Sequence, residues 1–295
     1  VVDLHKDVVD EVKFACKCGG EMKRVPDVLD TWFDSGSVPF ATKRPVPADF
    51  IGEGQDHTRS WFYYLHVMSG ALFNKEAFKN CIVTGIVLAE DGKKMSKKLK
   101  NYPDPMLMVD KYGADAVRFY MLSSPVVQAE NLFFSEKGVD EIVKKNLGRL
   151  QNVLAFYQLY ENGTPAGAKS KNILDTWILM RLEEVLKAST EGYEAYQLDG
   201  ATRPLTDFID DLSVWYLRRS RDRFKEEDLS TTLRASKTDA LATLRYVLLQ
   251  TSKIMAPAMP FFAEQLFAAV RESSDVESVH LTSWPKKNKG IKVDA

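Results

Sequence analysis

The stretch Cys81-Ile-Val-Thr-Gly-Ile-Val-Leu88, followed closely by Asp91-Gly-Lys-Lys-Met-Ser-Lys-Lys-Leu-Lys-Asn101, decides the fold. Its first part is apolar and rich in β-branched residues, which predicts a buried strand. A helical pattern from Thr58 to Phe73 precedes it, and a shorter strand signal ends at Phe50-Ile51. Strand, helix and strand in that order predict a βαβ unit of a parallel sheet.

The chain changes character near residue 125, and its pattern is helical after residue 135. One buried helix face is predicted by apolar residues at steps of three and four: Val139, Val143, Leu147, Leu150, Leu154 and Tyr157. Further helices are predicted at about 172–195, 201–225, 232–255 and 260–272, with a solvated tail at about 286–290. Because long helices with short links form antiparallel bundles, the predicted fold class is α/β followed by all-α.

Composition excludes several classes of protein. Hydrophobic residues make up 45% of the 295 residues and charged residues 27%, which is typical of a folded globular chain. Forty basic residues against 41 acidic ones give a net charge of −1, so a uniformly basic nucleic-acid coat is excluded. Three cysteines form no disulfide framework and favour the reducing cytoplasm, and no apolar run is long enough for a membrane span.

Five lysines lie between residues 93 and 100, directly after the predicted strand. Such a run is most often a solvated basic loop, but the carboxyl end of a parallel strand is where α/β proteins usually bind ligands. The spacing of Gly85 and Gly92 does not fit a Walker A loop. A clamp for a polyanion is therefore the second interpretation.

The segment Lys94-Met-Ser-Lys-Lys98 resembles the KMSKS loop of class I aminoacyl-tRNA synthetases, with Lys98 where the common motif has Ser. The setting strengthens the resemblance, since Asn101-Tyr-Pro-Asp-Pro105 and Tyr112-Gly-Ala-Asp-Ala-Val-Arg118 follow in the family's order. The resemblance implies binding of ATP with Mg²⁺ by Lys94, Met95, Ser96 and Lys97. It also implies that Lys94, Ser96 and Lys97 act in catalysis, where positioned ammonium groups stabilise the departing pyrophosphate.

A second segment, Asp49-Phe-Ile-Gly-Glu-Gly-Gln-Asp-His-Thr-Arg-Ser-Trp-Phe62, clusters acidic, imidazole and guanidinium groups between a strand and a helix. Taken alone, these groups are caps and surface ion pairs, or a metal or acid–base site. The segment resembles the adenylate-binding segment of the isoleucine members of the family, although His57 stands where Gln is frequent and Ser60 where Gly is frequent. That resemblance implies contacts of Glu53, Gly54, Asp56 and His57 with the aminoacyl-adenylate.

A third segment, Arg24-Val-Pro-Asp-Val-Leu-Asp-Thr-Trp-Phe-Asp-Ser-Gly36, contains a Trp-Phe pair that in most proteins is core. It resembles the isoleucine members, whose Trp-Phe-Asp-Ser-Gly stretch lines the amino-acid pocket. The valine members more often read Trp-Phe-Ser-Ser, so Asp34-Ser35-Gly36 favours isoleucine. Trp32 and Trp61 are then expected to enclose an aliphatic side chain and to complete the adenylate site.

Basic residues line the predicted helix Asp211-Leu-Ser-Val-Trp-Tyr-Leu-Arg-Arg-Ser-Arg-Asp-Arg-Phe-Lys225. They form either a solvated face or a surface that contacts phosphates, a role for which arginine is well suited. The segment resembles the anticodon-domain helix of the isoleucine members, which implies tRNA contact by Arg218, Arg219, Arg221, Arg223 and Lys225. Its buried face is predicted at Phe208, Leu212 and Trp215.

Cys16 and Cys18 are one residue apart, closer than in most zinc knuckles, so no metal site is predicted and zinc stays an open question. No His-x-Gly-His occurs, a motif that in this family lies upstream of an inserted editing domain. The chain therefore resembles the later part of such an enzyme. The expected regions are a connecting segment at 1–26, the second half of a Rossmann domain at 27–125 and an anticodon-binding bundle at 126–295.

The resemblance implies ATP-dependent ligation of L-isoleucine to tRNA(Ile) through an isoleucyl-adenylate, by a parent protein that is a cytoplasmic monomer. Two alternatives remain open. One is a fragment similar to the valine enzyme, and the other is a non-catalytic tRNA-binding module, which the missing His-x-Gly-His favours.

Overall fold

The computed structural model describes residues 3, 5–27, 30–96, 98, 101–225 and 231–291, with 231–235 described by backbone only. Two compact units contain Val1–Ile51 with Asp56–Cys81, and Gly52–Gln55 with Ile82–Ala295. The predicted division at residues 26 and 125 stays a prediction. In the part of the chain that is described, no helix is both long and apolar enough to cross a bilayer.

The first unit is built on two helices that approach each other closely. It contains α1 (Lys6–Val9), a hairpin of β1 (Phe14–Ala15) and β2 (Glu21–Met22), α2 (Thr31–Ala41) and α3 (Trp61–Phe73). A Cβ atom on Gly36 in α2 would lie 2.8 Å from the Cβ of Tyr64 in α3, so only glycine permits this packing. Asp30 begins α2 by accepting a hydrogen bond from the Trp32 amide at 2.8 Å.

The predicted strand at 81–88 is two strands. β3 (Ile51–Gly54) pairs with β4 (Cys81–Thr84), and β5 (Val87–Leu88) pairs in parallel with β6 (Leu132–Phe133). The chain bends between them at Gly85, whose amide donates to Val126 and where a Cβ would collide with the Glu130 carbonyl. The early strand signal was also misplaced, because β3 begins at Ile51 rather than ending there.

The second unit continues through α4 (Pro105–Tyr112) and α5 (Ala114–Leu122) into the helical bundle. The bundle comprises α6 (Glu136–Ile142), α7 (Arg149–Tyr160), α8 (Ile173–Glu194), α9 (Leu198–Asp210), α10 (Arg218–Lys225), α11 (Thr231–Met255) and α12 (Pro260–Val270). These positions confirm the predicted α/β and then all-α order. The core is apolar and includes Leu150, Leu182, Phe208, Leu244 and Phe267, each almost fully buried.

Two of the predicted helices contain a π-helical segment. Val143–Gly148 joins α6 to α7, and Asp211–Leu217 joins α9 to α10. A π segment adds residues to a turn, so every side chain after it points in a different direction from that of an uninterrupted α-helix.

Residues of α5 bind the turn between α11 and α12. Asp115 accepts hydrogen bonds from the Phe262 amide at 2.6 Å and the Phe261 amide at 3.4 Å, which caps α12. Arg118 donates to the carbonyls of Pro257 at 3.0 Å and Ala258 at 3.3 Å. The segment after the lysine-rich loop is thus joined to the bundle by specific polar contacts.

The segment around the lysine-rich tail contacts α8, although Lys286, Lys287, Lys289 and Gly290 are exposed, as the prediction of a solvated end or linker requires. Asn288 donates its amide to the Glu183 carboxylate at 3.1 Å. Trp284 donates to the Thr190 hydroxyl at 2.9 Å and packs edge-on against Tyr193. Lysine content did not predict this docking, because the contacts are made by Trp284 and Asn288.

Candidate functional site

The lysine-rich loop begins directly after β5. The loop starts with a turn in which the Ala89 amide donates to the Lys93 carbonyl at 2.9 Å. Leu88 and Lys94 form an isolated antiparallel β-bridge across this turn. The Lys93 backbone amide donates to the Asp91 carboxylate at 3.1 Å, and the Lys93 ammonium forms an ion pair with it at 3.1 Å. The amide hydrogen bond, followed by the ammonium contact, lowers the pKa of the Asp91 carboxyl. Lys94 is exposed and makes no ion pair with another described residue. Its ammonium group is therefore open to an incoming anion.

Asn101 holds the backbone of this loop from both sides of Met95. Its side-chain carbonyl accepts from the Ser96 amide at 2.9 Å, and its side-chain amide donates to the Lys94 carbonyl at 3.2 Å. Met95 lines an apolar cavity of about 250 Å³ together with Val87, Tyr102, Pro103, Pro105, Met108, Val117, Met121 and Phe134. Lys97 lies outside the described residues.

The predicted adenylate residues are distributed over both compact units. Glu53 and Gly54 belong to β3 in the second unit, where Glu53 is exposed. Asp56 and His57 belong to the 3₁₀ turn Gln55–Arg59 and, by residue number, to the first unit. Contact of these four residues with an aminoacyl-adenylate stays a prediction.

His57 sits in an aromatic cluster of the first unit. Its ring lies 5.0 Å from Trp32 and 5.9 Å from Phe62, and its Nε2 is 3.9 Å from the Asp56 carboxylate. Its Nδ1 is buried and has no hydrogen-bond partner among the described residues. The structure thus brings together His57, Asp56 and Trp32, three of the residues selected from the sequence.

Trp61 lines a separate apolar cavity of the first unit, about 240 Å³ in volume, with Phe40, Ile51 and Leu65 among its walls. Trp32 is not part of that lining; its side chain is 36% exposed and faces His57. A joint enclosure of one aliphatic group by both tryptophans stays a prediction.

The basic helix divides into an outer and an inner set. Arg218, Arg219, Arg221 and Lys225 are exposed. The Arg219 guanidinium lies over the Trp215 ring at 4.4 Å, and that of Arg221 over Phe156 at 6.0 Å. These four side chains form what we call the arginine row.

Arg223 differs from the row because its side chain is mostly buried against Asp175, and its contact with tRNA stays a prediction. Its guanidinium makes two hydrogen bonds of 2.8 Å to Asp175, a carboxylate with no exposed surface. The Tyr216 hydroxyl donates to the same carboxylate at 2.8 Å, and burial raises the pKa of Tyr216 well above its usual value. Because a buried carboxylate needs such partners, Arg223 stabilises the bundle.

The buried face of this helix also differs from the prediction. Phe208 and Leu212 are buried as expected, but Trp215 is 49% exposed and Tyr216 takes the interior position. The π segment Asp211–Leu217 causes this shift, because it inserts a longer turn after Leu212.

Cys16 and Cys18 lie at the turn of the β1–β2 hairpin. A hydrogen bond from the Cys16 side chain lowers the pKa of the Cys18 thiol. Among the described residues, no group of three potential ligands assembles around them or anywhere else.

Comparison with protein-family models matches residues 2–133 to "tRNA synthetases class I (I, L, M and V)". Residues 175–295 match "Anticodon-binding domain of tRNA ligase". The chain belongs to the class I aminoacyl-tRNA synthetases. The first match contains the lysine-rich loop, and the second contains the arginine row.

Curated relatives of the chain include isoleucine–tRNA ligases from several bacteria. The chain is 46% identical to the isoleucine–tRNA ligase of Chlamydia trachomatis serovar L2. The alignment covers 97% of this chain and 29% of that protein. It is 42% identical to the isoleucine–tRNA ligase of Treponema denticola, over 98% of itself and 29% of that protein. The chain thus spans less than a third of the length of these class I synthetases.

Solved structures of class I synthetases share the fold. The LeuRS of Agrobacterium radiobacter K84, solved as a ternary complex with tRNA and LeuAMS, superimposes with a TM-score of 0.72 at 22% identity. That match covers 96% of this chain and 36% of the other. The methionyl-tRNA synthetase of Mycobacterium tuberculosis, in complex with methionyl-adenylate, gives a TM-score of 0.65 at 18% identity, over 86% and 53% of the two chains.

Sequence reasoning missed Asn101 and Asp175. Asn101 had a readable signal, because a short amide side chain at the end of a loop commonly bonds to nearby backbone. Asp175 had none, since its partner Arg223 is 48 residues away along the chain.

Proposed function

We propose that this chain is part of an isoleucine–tRNA ligase, which joins L-isoleucine to tRNA(Ile) with ATP through an isoleucyl-adenylate. The observation that carries the proposal is the lysine-rich loop after parallel strand β5, in a chain 42–47% identical to isoleucine–tRNA ligases. The proposed partners are tRNA(Ile), L-isoleucine and ATP, and the proposed state is a monomer.

On the loop, Lys94, Ser96 and Lys97 are the proposed catalytic groups, and with Met95 they form the proposed ATP-binding segment. The exposed Lys94 supports this role, because an unpaired ammonium can stabilise charge that develops on departing phosphate oxygens. ATP enters with Mg²⁺, which neutralises phosphate charge. Met95 contributes by packing into the apolar cavity rather than by touching phosphate.

The amino-acid and adenylate contacts are proposed for Glu53, Gly54, Asp56, His57, Trp32 and Trp61. Support comes from the aromatic surroundings of His57 and from the apolar cavity beside Trp61, since a branched aliphatic side chain favours such walls. The Nδ1 of His57, which no described residue contacts by a hydrogen bond, can accept or donate one to a bound ligand.

Contact with tRNA is proposed for the arginine row. Its guanidinium groups are exposed, and planar guanidinium groups bind phosphate and stack on bases. Net charge near zero supports a local patch rather than the whole surface as the binding site.

Isoleucine-dependent ATP–pyrophosphate exchange tests the proposal. The full-length ligase that contains this chain is expected to exchange with isoleucine and much less with valine, while the 295-residue chain alone is expected to be inactive. Preference for valine would support the valine alternative. Binding of tRNA without exchange by the full-length protein would support the non-catalytic module.

A further inference from the structure

The Asn101 side chain forms hydrogen bonds to the backbone of the lysine-rich loop at two points. It accepts from the Ser96 amide at 2.9 Å and donates to the Lys94 carbonyl at 3.2 Å. The two bonds bracket Met95, so they define the direction of the backbone on both sides of that residue.

A second contact holds the same three-residue segment from another direction. Met95 is half-buried and lines the apolar cavity formed partly by Met108 and Met121. Methionine adapts its shape to such cavities, so Met95 anchors the loop without defining a single geometry. The side-chain amide of Asn101 has fixed donor and acceptor directions, so its two hydrogen bonds fix the backbone conformation that Met95 alone leaves open.

We propose that Asn101 is a positioning residue for activation of the amino acid. It holds the backbone of Lys94 and Ser96 in the shape that presents the Lys94 ammonium to phosphate. Charge stabilisation depends on groups that are already in place before the reaction, and a lysine on an unbraced loop has to be ordered during it. This inference rests on the proposed function, because it concerns the same ATP-binding loop.

The test compares Asn101→Ala with Asn131→Ala in the full-length ligase. Asn131 is a matched control: its side-chain carbonyl accepts from the Ile86 amide at 3.3 Å and so also braces backbone, but away from the loop. Asn101→Ala is expected to lower kcat of ATP–pyrophosphate exchange about tenfold, as expected for losing two modest hydrogen bonds. The KM for isoleucine is expected to stay unchanged, and Asn131→Ala is expected to keep normal kcat.

A measurement on the 295-residue chain locates the cause. Hydrogen exchange of the Ser96 amide is expected to accelerate in Asn101→Ala and to stay slow in Asn131→Ala. A normal kcat in Asn101→Ala, or an equal loss of kcat in both variants, overturns the inference and leaves the proposed function intact. Absence of isoleucine-dependent exchange in the unsubstituted full-length protein overturns the proposed function, and this inference with it.

Discussion

The lysine-rich loop and the arginine row are both basic, yet they place their charges differently. On the loop, polar contacts involve the backbone and leave the Lys94 side chain exposed. On the helix, Arg223 binds a buried carboxylate, and Arg219 and Arg221 lie over aromatic rings. The difference arises because one face of the helix packs against a core, and a charge on that face requires an internal partner. Positive charge in a sequence therefore does not by itself identify a binding residue.

The largest effect on stability is expected from the inner charge. Arg223→Ala leaves Asp175 buried without its ion pair, so the free energy of unfolding should fall by ~3–5 kcal/mol. Arg218→Ala, on the exposed side of the same helix, should change it by less than ~0.5 kcal/mol. Urea denaturation followed by circular dichroism measures both. Equal effects of the two substitutions would remove the distinction between the inner and outer sets.

The loop should show the opposite behaviour, with a large effect on activity and little on stability. Lys94→Ala in the full-length ligase should lower the rate of ATP–pyrophosphate exchange by roughly 10²–10³, as for loss of one positioned charge-stabilising group. Lys93→Ala serves as the control, because Lys93 already pairs with Asp91. An equal loss in both variants would mean that the loop acts through its overall charge.

The arginine row should be visible in the salt dependence of tRNA binding. Replacing Arg218 and Arg221 with Ala should lower the slope of log affinity against log salt by roughly two units, about one per lost phosphate contact. The fold should persist, because the buried face consists of Phe208, Leu212, Tyr216 and Phe224. The exposed pair Lys169 and Lys171, replaced in the same way, gives the control. If the double variant is folded and its slope is unchanged, the arginine row is a solvated face that does not contact phosphate.

The smallest effect concerns the buried hydroxyl of Tyr193 in the bundle. Burial raises the pKa of Tyr193 to about 12, and its hydroxyl has no hydrogen-bond partner among the described residues. Tyr193→Phe should therefore raise the free energy of unfolding at pH 7 by ~1 kcal/mol. Tyr63→Phe, at an exposed tyrosine, is the control.

Tyr193 also predicts a pH dependence. Above pH ~10 an unfolded tyrosine loses its proton while the folded Tyr193 keeps it, so stability falls as pH rises from ~10 towards 12. Below that window its contribution is constant. Urea midpoints measured at pH 7 and pH 11 should differ less in Tyr193→Phe than in the unsubstituted chain, and an identical difference would contradict the assignment.

Periodicity predicted the order of the elements well. The helices at 173–194, 231–255 and 260–270 lie within a few residues of their predicted positions, because their buried faces recur at the spacing of an α-helix. Motifs likewise selected His57 and Trp32, which the structure places in contact. Local patterns suffice where the controlling interaction is local.

The failures have non-local causes. Trp215 was expected inside because an uninterrupted α-helix was assumed, whereas a π segment shifts the phase. The ion pair of Arg223 could not be predicted, because its partner Asp175 belongs to another helix. The segment 81–88 was predicted to be one strand. The break at Gly85 could not be predicted, because it depends on the close approach of the Glu130 backbone, which is distant in sequence.

The π segment Asp211–Leu217 also has an evolutionary consequence. Each residue of an α-helix rotates the chain by about 100°, so gain or loss of one residue in this segment rotates everything that follows. Arg218, Arg219, Arg221 and Lys225 would then turn together and keep their mutual spacing. Arg223 and Phe224 lie in the same stretch, so such a change would also turn them away from Asp175 and from the core, and the bundle therefore constrains the length of this segment.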